Sequence, residues 1–250
     1  MLKAVAAVIE HDFKVFLRYR FTLAGLISMN LADLMIMGVV YTRMVSFNYF
    51  EFLAPGIVAM GLFAAAFLIG REVNMETRRG YNLYLLSLPL RRSELVLGRM
   101  LAGGLRGLLY ATPLLVLAMI ILKFPPAGVI TLMLVAMYLL GMGIAGLAIS
   151  LAVLLRSFEK FTTARSLLYL LLIFWSSVFY PLSVLQHIFK GPLIFFAEVN
   201  PLSTVSDLLR GYLMGTPPVT FLSWSLLLTT CGVLILAGSG LYMAAIQRST

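Results

Sequence analysis

An all-α integral membrane fold is predicted for this chain by three observations. The 250 residues are 61% hydrophobic with a mean hydropathy of +1.00, well above the ~45–50% apolar content of a soluble domain. Only 12% of the residues are charged, and they gather in short stretches between apolar runs instead of spreading as a solvated surface would. Six of those runs approach the ~20 residues that a helix needs to cross the hydrocarbon core. None alternates in polarity as the ~9–11-residue strand of a barrel must, and in lipid a helix satisfies its own backbone.

Residues 1–20 place Leu2, Val5, Ala6, Val8, Ile9, Phe13, Phe16 and Leu17 among charged neighbours at roughly helical spacing. The spacing predicts an amphipathic helix lying along the membrane surface, either an anchor or a mechanical element. Glu10, His11 and Asp12 interrupt any leader-type apolar core, so no cleavable signal is expected.

The first span, 21–41, carries Asn30 and Asp33 three residues apart on one face. A carboxylate near the bilayer centre costs about 3 kcal/mol unless paired or hydrated. Asp33 therefore meets a polar substrate or a proton, or has a structural partner, for which Arg106 in the third span is the obvious candidate.

The second span, 52–70, leads into the most charged part of the chain, the loop 71–99. There Glu72, Glu76, Arg78 and Arg79 precede a short amphipathic stretch, Tyr81 to Leu88, punctuated by Gly80 and Pro89. A helix at this surface is either a grip for a cytoplasmic partner or a basic anchor.

The third and fourth spans are 100–122 and 128–155. Gly103 and Gly107 suit close helix packing, and Pro113 is read as packing rather than a hinge. Gly141 to Gly146 spells G-x-G-x-x-G, but inside an uncharged span it lacks the preceding strand and aqueous helix start that a dinucleotide needs. No cofactor is expected on this chain.

The fifth span, 166–185, brings Phe174, Trp175, Phe179 and Tyr180 to its outer part, either lining a path or facing lipid. The region 183–220 is too apolar for an exposed loop. Asn200-Pro201 is a natural helix start, with Asn as cap and Pro in the first position. Leu202, Val205, Leu208 and Leu209 then form an apolar face before Gly211, Gly215 and Pro217-Pro218 end the segment. Two short helices re-entering the outer leaflet are predicted, as a lid or as rim padding. The last span is 221–246.

Orientation follows from Lys and Arg. Fourteen of the nineteen lie on the side of both termini, four on the other side, and Arg106 lies within a span. Both termini are expected in the cytoplasm of a multi-pass cell-membrane protein. The net charge of +9 is thereby explained by headgroups, not nucleic acid. Cys231 is the only cysteine, which excludes disulfide frameworks and Cys-based metal sites. His11 and His187 are isolated, so no metal site and no catalytic residue is expected.

Four segments together resemble the ABC-2 class of ATP-binding-cassette permeases: the amphipathic start, FLAPGIVAMGLF (Phe52 to Phe63), ETRRG with LLSLPLR (Glu76 to Gly80, Leu85 to Arg91), and NPLSTVSDLLRG (Asn200 to Gly211). The resemblance covers essentially the whole chain. It implies that Glu72 to Pro89 couples to an ATPase, through Glu72, Glu76, Arg78, Arg79, Gly80, Tyr81, Leu85 and Pro89. It likewise makes Pro192 to Leu213 an extracellular re-entrant element carrying Asn200, Pro201, Asp207, Arg210 and Gly211. No G-x-x-x-x-G-K-[ST] occurs, so ATP and Mg are expected on a separate ATPase subunit. The resemblance also implies a homodimer or heterodimer of permeases, and export of a hydrophobic or amphipathic drug, lipid or glycan. A secondary transporter working through Asp33 is the alternative, although no internal repeat supports it. A membrane enzyme would need a cluster of Asp, His or Cys that the sequence lacks.

Overall fold

The computed structural model describes residues 2–18, 20–79, 91–155 and 157–248. Among these, ten helices form: α1 (Leu2–Arg18), α2 (Arg20–Thr42), α3 (Tyr49–Arg78), α4 (Arg92–Ile121), α5 (Ala127–Leu154), α6 (Phe158–Phe174), α7 (Leu182–Ile188), α8 (Pro192–Val199), α9 (Pro201–Met214) and α10 (Phe221–Arg248). No strand is present among the described residues.

Five helices are long and apolar enough to cross a membrane: α3, α4 and α5, together with Leu23–Thr42 of α2 and Phe221–Gln247 of α10. The most apolar window of α3 is 89% buried, whereas those of α2 and α10 are 17% buried. α3 is therefore the central post. It packs against α2, α4, α5 and α9, while α10 lies along α5 and α1 along α4. The outer helices turn Ile36, Val39, Leu228 and Leu236 outward, an apolar exterior suited to lipid.

Close approach of α5 and α10 depends on glycine. A Cβ on Gly146 would run into the backbone carbonyl of Leu234, and one on Gly238 into that of Gly146. A Cβ on Gly103 would run into the side chain of Ala145, and Gly107 faces Leu62 and Ala66. The glycines of the G-x-G-x-x-G run are thus helix-packing positions. α4 runs uninterrupted through Pro113.

Several boundaries differ from the sequence reading. α3 continues eight residues past Gly70, and α4 starts eight before Met100, so most of the expected loop 71–99 consists of helix ends. Asn48 caps α3 by accepting from Glu51 N at 3.4 Å, and Glu94 returns to Arg91 N at 2.9 Å to start α4. The amphipathic stretch Tyr81 to Leu88, with Gly80 and Pro89, lies outside the described residues.

The continuous fifth span expected over 166–185 is replaced by the 17-residue α6, which ends at Phe174. Its last carbonyls explain the stop. Asn200 Nδ2 donates to Leu172 O and Trp175 O, both at 2.7 Å, and Ser177 N turns to Ser203 Oγ at 3.0 Å. The chain leaves the helix to dock on α9 because side chains there take over its hydrogen bonds. The predicted helix start at Asn200-Pro201 forms, with Asn200 Oδ1 accepting from Leu202 N at 3.0 Å. α9 closes at Gly215, whose φ of 77° suits a residue without Cβ.

Candidate functional site

Two buried polar clusters mark the ends of α3. At one end, α1 lays a stripe of Val8, Asp12 and Phe16 on α4, each four residues from the next and each buried. Val8 nests over Gly98, where an added Cβ would lie 2.7 Å away. Asp12 is thereby delivered, 1% exposed, beside Arg99 and Arg106, which are equally buried.

Arg106 Nη1 pairs with Glu72 Oε2 at 2.7 Å, Nη2 donates to the Asp12 main-chain oxygen, and the guanidinium stands 5.5 Å from the Phe16 ring centroid. Arg99 Nη2 pairs with Glu76 Oε2 at 2.5 Å, and its Nε approaches Asp12 Oδ2 at 3.6 Å. Tyr242, fully buried on α10, lies within electrostatic range of Arg99. Three carboxylates and two guanidiniums from α1, α3 and α4, with a tyrosine from α10, thus form one ionic base. Among the described residues no group of His, Cys, Asp and Glu is placed to hold a metal ion.

Burial works to raise Asp12, but the Arg99 charge, the His11 hydrogen bond at 3.3 Å and Arg106 outweigh it. Its carboxyl titrates below the ordinary carboxylate value. His11 is raised, chiefly by its hydrogen bond to Asp12.

At the other end of α3, Arg210 of α9 is 2% exposed and uses its whole fork. Nη1 pairs with Asp207 Oδ1 at 2.8 Å, Nε donates to Phe52 O at 3.0 Å and Nη2 to Val178 O at 3.0 Å. The guanidinium carbon stands 3.8 Å over the Phe52 ring. Ser177 Oγ adds a 2.8 Å bond to Asp207. Gly56 makes the approach possible, since a Cβ there would stand 2.6 Å from Val178 O. Gly211 lets the chain after α9 fold back, with Pro217 O 2.6 Å from its would-be Cβ. α3, α9 and the segment after α6 are tied into one knot.

The predicted residues therefore divide. Glu72 and Glu76 enter the ionic base, while Arg78 and Arg79 are exposed at the end of α3. Gly80, Tyr81, Leu85 and Pro89 lie outside the described residues. Asn200, Pro201, Asp207, Arg210 and Gly211 all belong to the knot or its borders. Asn30, 4% exposed, bridges α2 to α4 by donating to Tyr110 Oη at 3.0 Å.

The pairing of Asp33 with Arg106 does not occur, because Arg106 is engaged by Glu72 and Asp12 at the end of the bundle. Sequence reasoning missed Asp12, Arg99 and Tyr242. Asp12 carried a signal: it sits at the centre of an apolar stripe spaced by four, where a charge is out of place unless answered.

No curated protein matches the chain. The family model described as "ABC-2 type transporter" matches residues 3–214, a stretch that runs from α1 to the end of α9 and contains both the ionic base, Tyr242 apart, and the knot. With its apolar helices and that match, the chain is a multi-pass membrane protein that belongs to the ABC-2 type transporter family, as a transport permease and not itself a catalyst.

Proposed function

We propose that the protein is the membrane-spanning permease of an ATP-driven exporter, energised by a separate ATPase subunit that binds ATP and Mg. A second permease copy or a related chain completes the pathway. The cargo is a hydrophobic or amphipathic compound.

The observation that carries the reading is the ionic base at the foot of the α3–α4 pair. The chain between these helices, 79–91, is where a soluble partner would push, and the pairs Glu76–Arg99 and Glu72–Arg106 join the two helices that it connects. Buried ion pairs hold the ends of α3 and α4 to each other and to α1, so a displacement of the loop moves three helices together. With α1 on the cytoplasmic side, as the Lys and Arg distribution supports, the start of α3 and the knot around Arg210 would lie at the outer end. There α7, α8 and α9 would re-enter the outer leaflet and cap the exit.

The test is co-purification of an ATPase with the detergent-solubilised chain. Wild type is expected to retain it, and Glu76→Ala and Leu85→Asp to lose most of it while eluting as a folded species. If no ATPase associates with wild type under any condition, the ATP-driven reading fails and transport driven through Asp33 becomes the alternative.

A further inference from the structure

A cleft of about 330 Å³ opens between the turn from α4 to α5, which lends Lys123, Pro125 and Pro126, and the last turn of α9, Gly211 to Gly215. Lys123 stands just past the end of α4 and Pro126 directly before α5, so the cleft lies at the level where these two spans meet the membrane surface. Its α9 wall is fixed from behind. Tyr212 Oη accepts from Trp224 Nε1 of α10 at 3.0 Å, and Leu213 is buried.

The two walls carry opposite polarity that the chain itself leaves unanswered. α9 ends with Gly215 N donating to Gly211 O at 3.0 Å, so the carbonyls of Tyr212, Leu213 and Met214 have no partner within the helix and bear the negative end of its dipole. The neighbouring chain is poor in donors, since Pro125, Pro126, Pro217 and Pro218 lack an N–H. On the other wall Lys123 enters no ion pair among the described residues, and no Asp or Glu occurs in 122–130 or 211–220. Along the span that leads to it, α4 turns Leu109, Pro113, Val116 and Ile120 outward. With Lys123 three residues further on, one exposed apolar stripe runs down α4 from the cleft.

We propose that the cleft seats the head group of a phosphatidylethanolamine-type lipid of the surrounding membrane, with its phosphate on Lys123, its primary ammonium on the last carbonyls of α9 and an acyl chain along the α4 stripe. An ammonium with N–H groups answers both the orphan acceptors and the helix dipole, and the phosphate beside it answers the lysine. A choline head group keeps the phosphate but has no N–H to give the carbonyls. A glycerol head group keeps the phosphate but brings no cation to the helix end. The inference needs only a chain that crosses the membrane, so it stands apart from the ATP-driven reading.

The test is native mass spectrometry of the full chain in detergent, titrated with phosphatidylethanolamine, phosphatidylcholine and phosphatidylglycerol of identical acyl chains. Wild type is expected to retain the ethanolamine lipid about tenfold more tightly than the choline lipid, a comparison that needs no variant. Lys123→Ala should weaken ethanolamine-lipid binding about fivefold, with an unchanged melting temperature because the side chain is exposed, and Lys123→Arg should stay within about twofold of wild type. Soluble O-phosphorylethanolamine at the same concentration should not displace the lipid. Equal retention of the ethanolamine and choline lipids overturns the proposal, as does unchanged binding by Lys123→Ala. Tighter retention of the glycerol lipid overturns it too, since a lysine that merely attracts anionic head groups would show that order. Displacement by the soluble head group would assign the cleft to a solute and not to a membrane lipid.

Discussion

Arg106 shows what a guanidinium requires before it can sit fully buried in an apolar bundle. Its partners come from two other helices: the Glu72 carboxylate, the Asp12 carbonyl and the Phe16 ring. Removing one member strands the rest in a medium that cannot solvate them, a loss of about 3–5 kcal/mol, whereas replacing both charges by apolar groups is far milder. Arg106→Leu is therefore expected to lower the melting temperature in nanodiscs sharply, and Arg106→Leu with Glu72→Leu to recover much of the loss. Additive losses would show that the two residues do not form a pair. The His11–Asp12 contact gives a second residue-scale expectation. Asp12 is lowered in the folded protein, so its contribution is present above the ordinary carboxylate value and lost as pH falls through its folded value. His11 is raised, so its contribution is full below its ordinary value and lost as pH rises past its folded value. Docking of α1 on α4 should be tightest between those limits. Amide protection of α1, corrected for the intrinsic exchange rate, should therefore fall as pH rises through the value at which His11 loses its proton, and His11→Ala should flatten that fall.

At the scale of elements, the distinction between legible and illegible is physical. The start of α9 could be read from Asn200-Pro201, because a cap and a first-turn proline act within a few residues of chain. The packing role of Gly103, Gly107 and Gly146 could be read too, since small residues at helical spacing have few other uses in an apolar run. The end of α6 could not. Nothing between Ser166 and Leu185 stops a helix before Pro181; Asn200, twenty-five residues beyond Trp175, draws the carbonyls away. Asn200→Ala should remove the α9 cap, at about 1 kcal/mol, and also orphan the carbonyls of Leu172 in α6 and Trp175 just past its end. Its cost should exceed that of a cap alone, which chemical denaturation in mixed micelles would measure. A loss of cap size only would mean that α6 ends there for another reason.

Across the whole molecule, α3 is secured at both ends by arginine, through Glu72 and Glu76 at one and through the Phe52 carbonyl and Gly56 at the other. The spans on either side of it were visible as runs of hydropathy. The pairing that organises them was not, because Arg106 has several carboxylates within plausible reach and only the tertiary arrangement chooses among them. Asp33 looked like its natural partner from depth alone. The amphipathic stripe of α1 brings Asp12 to the place instead, and Asp33 stays half-buried on α2.

Cys231 is 1% exposed and lies against Gly143, which has no side chain to hold it off. The thiol is consequently sealed between two spans. To a water-borne maleimide the native chain behaves as though it had no sulfhydryl, and any cysteine introduced at the rim or in the loops would be labelled on a silent background.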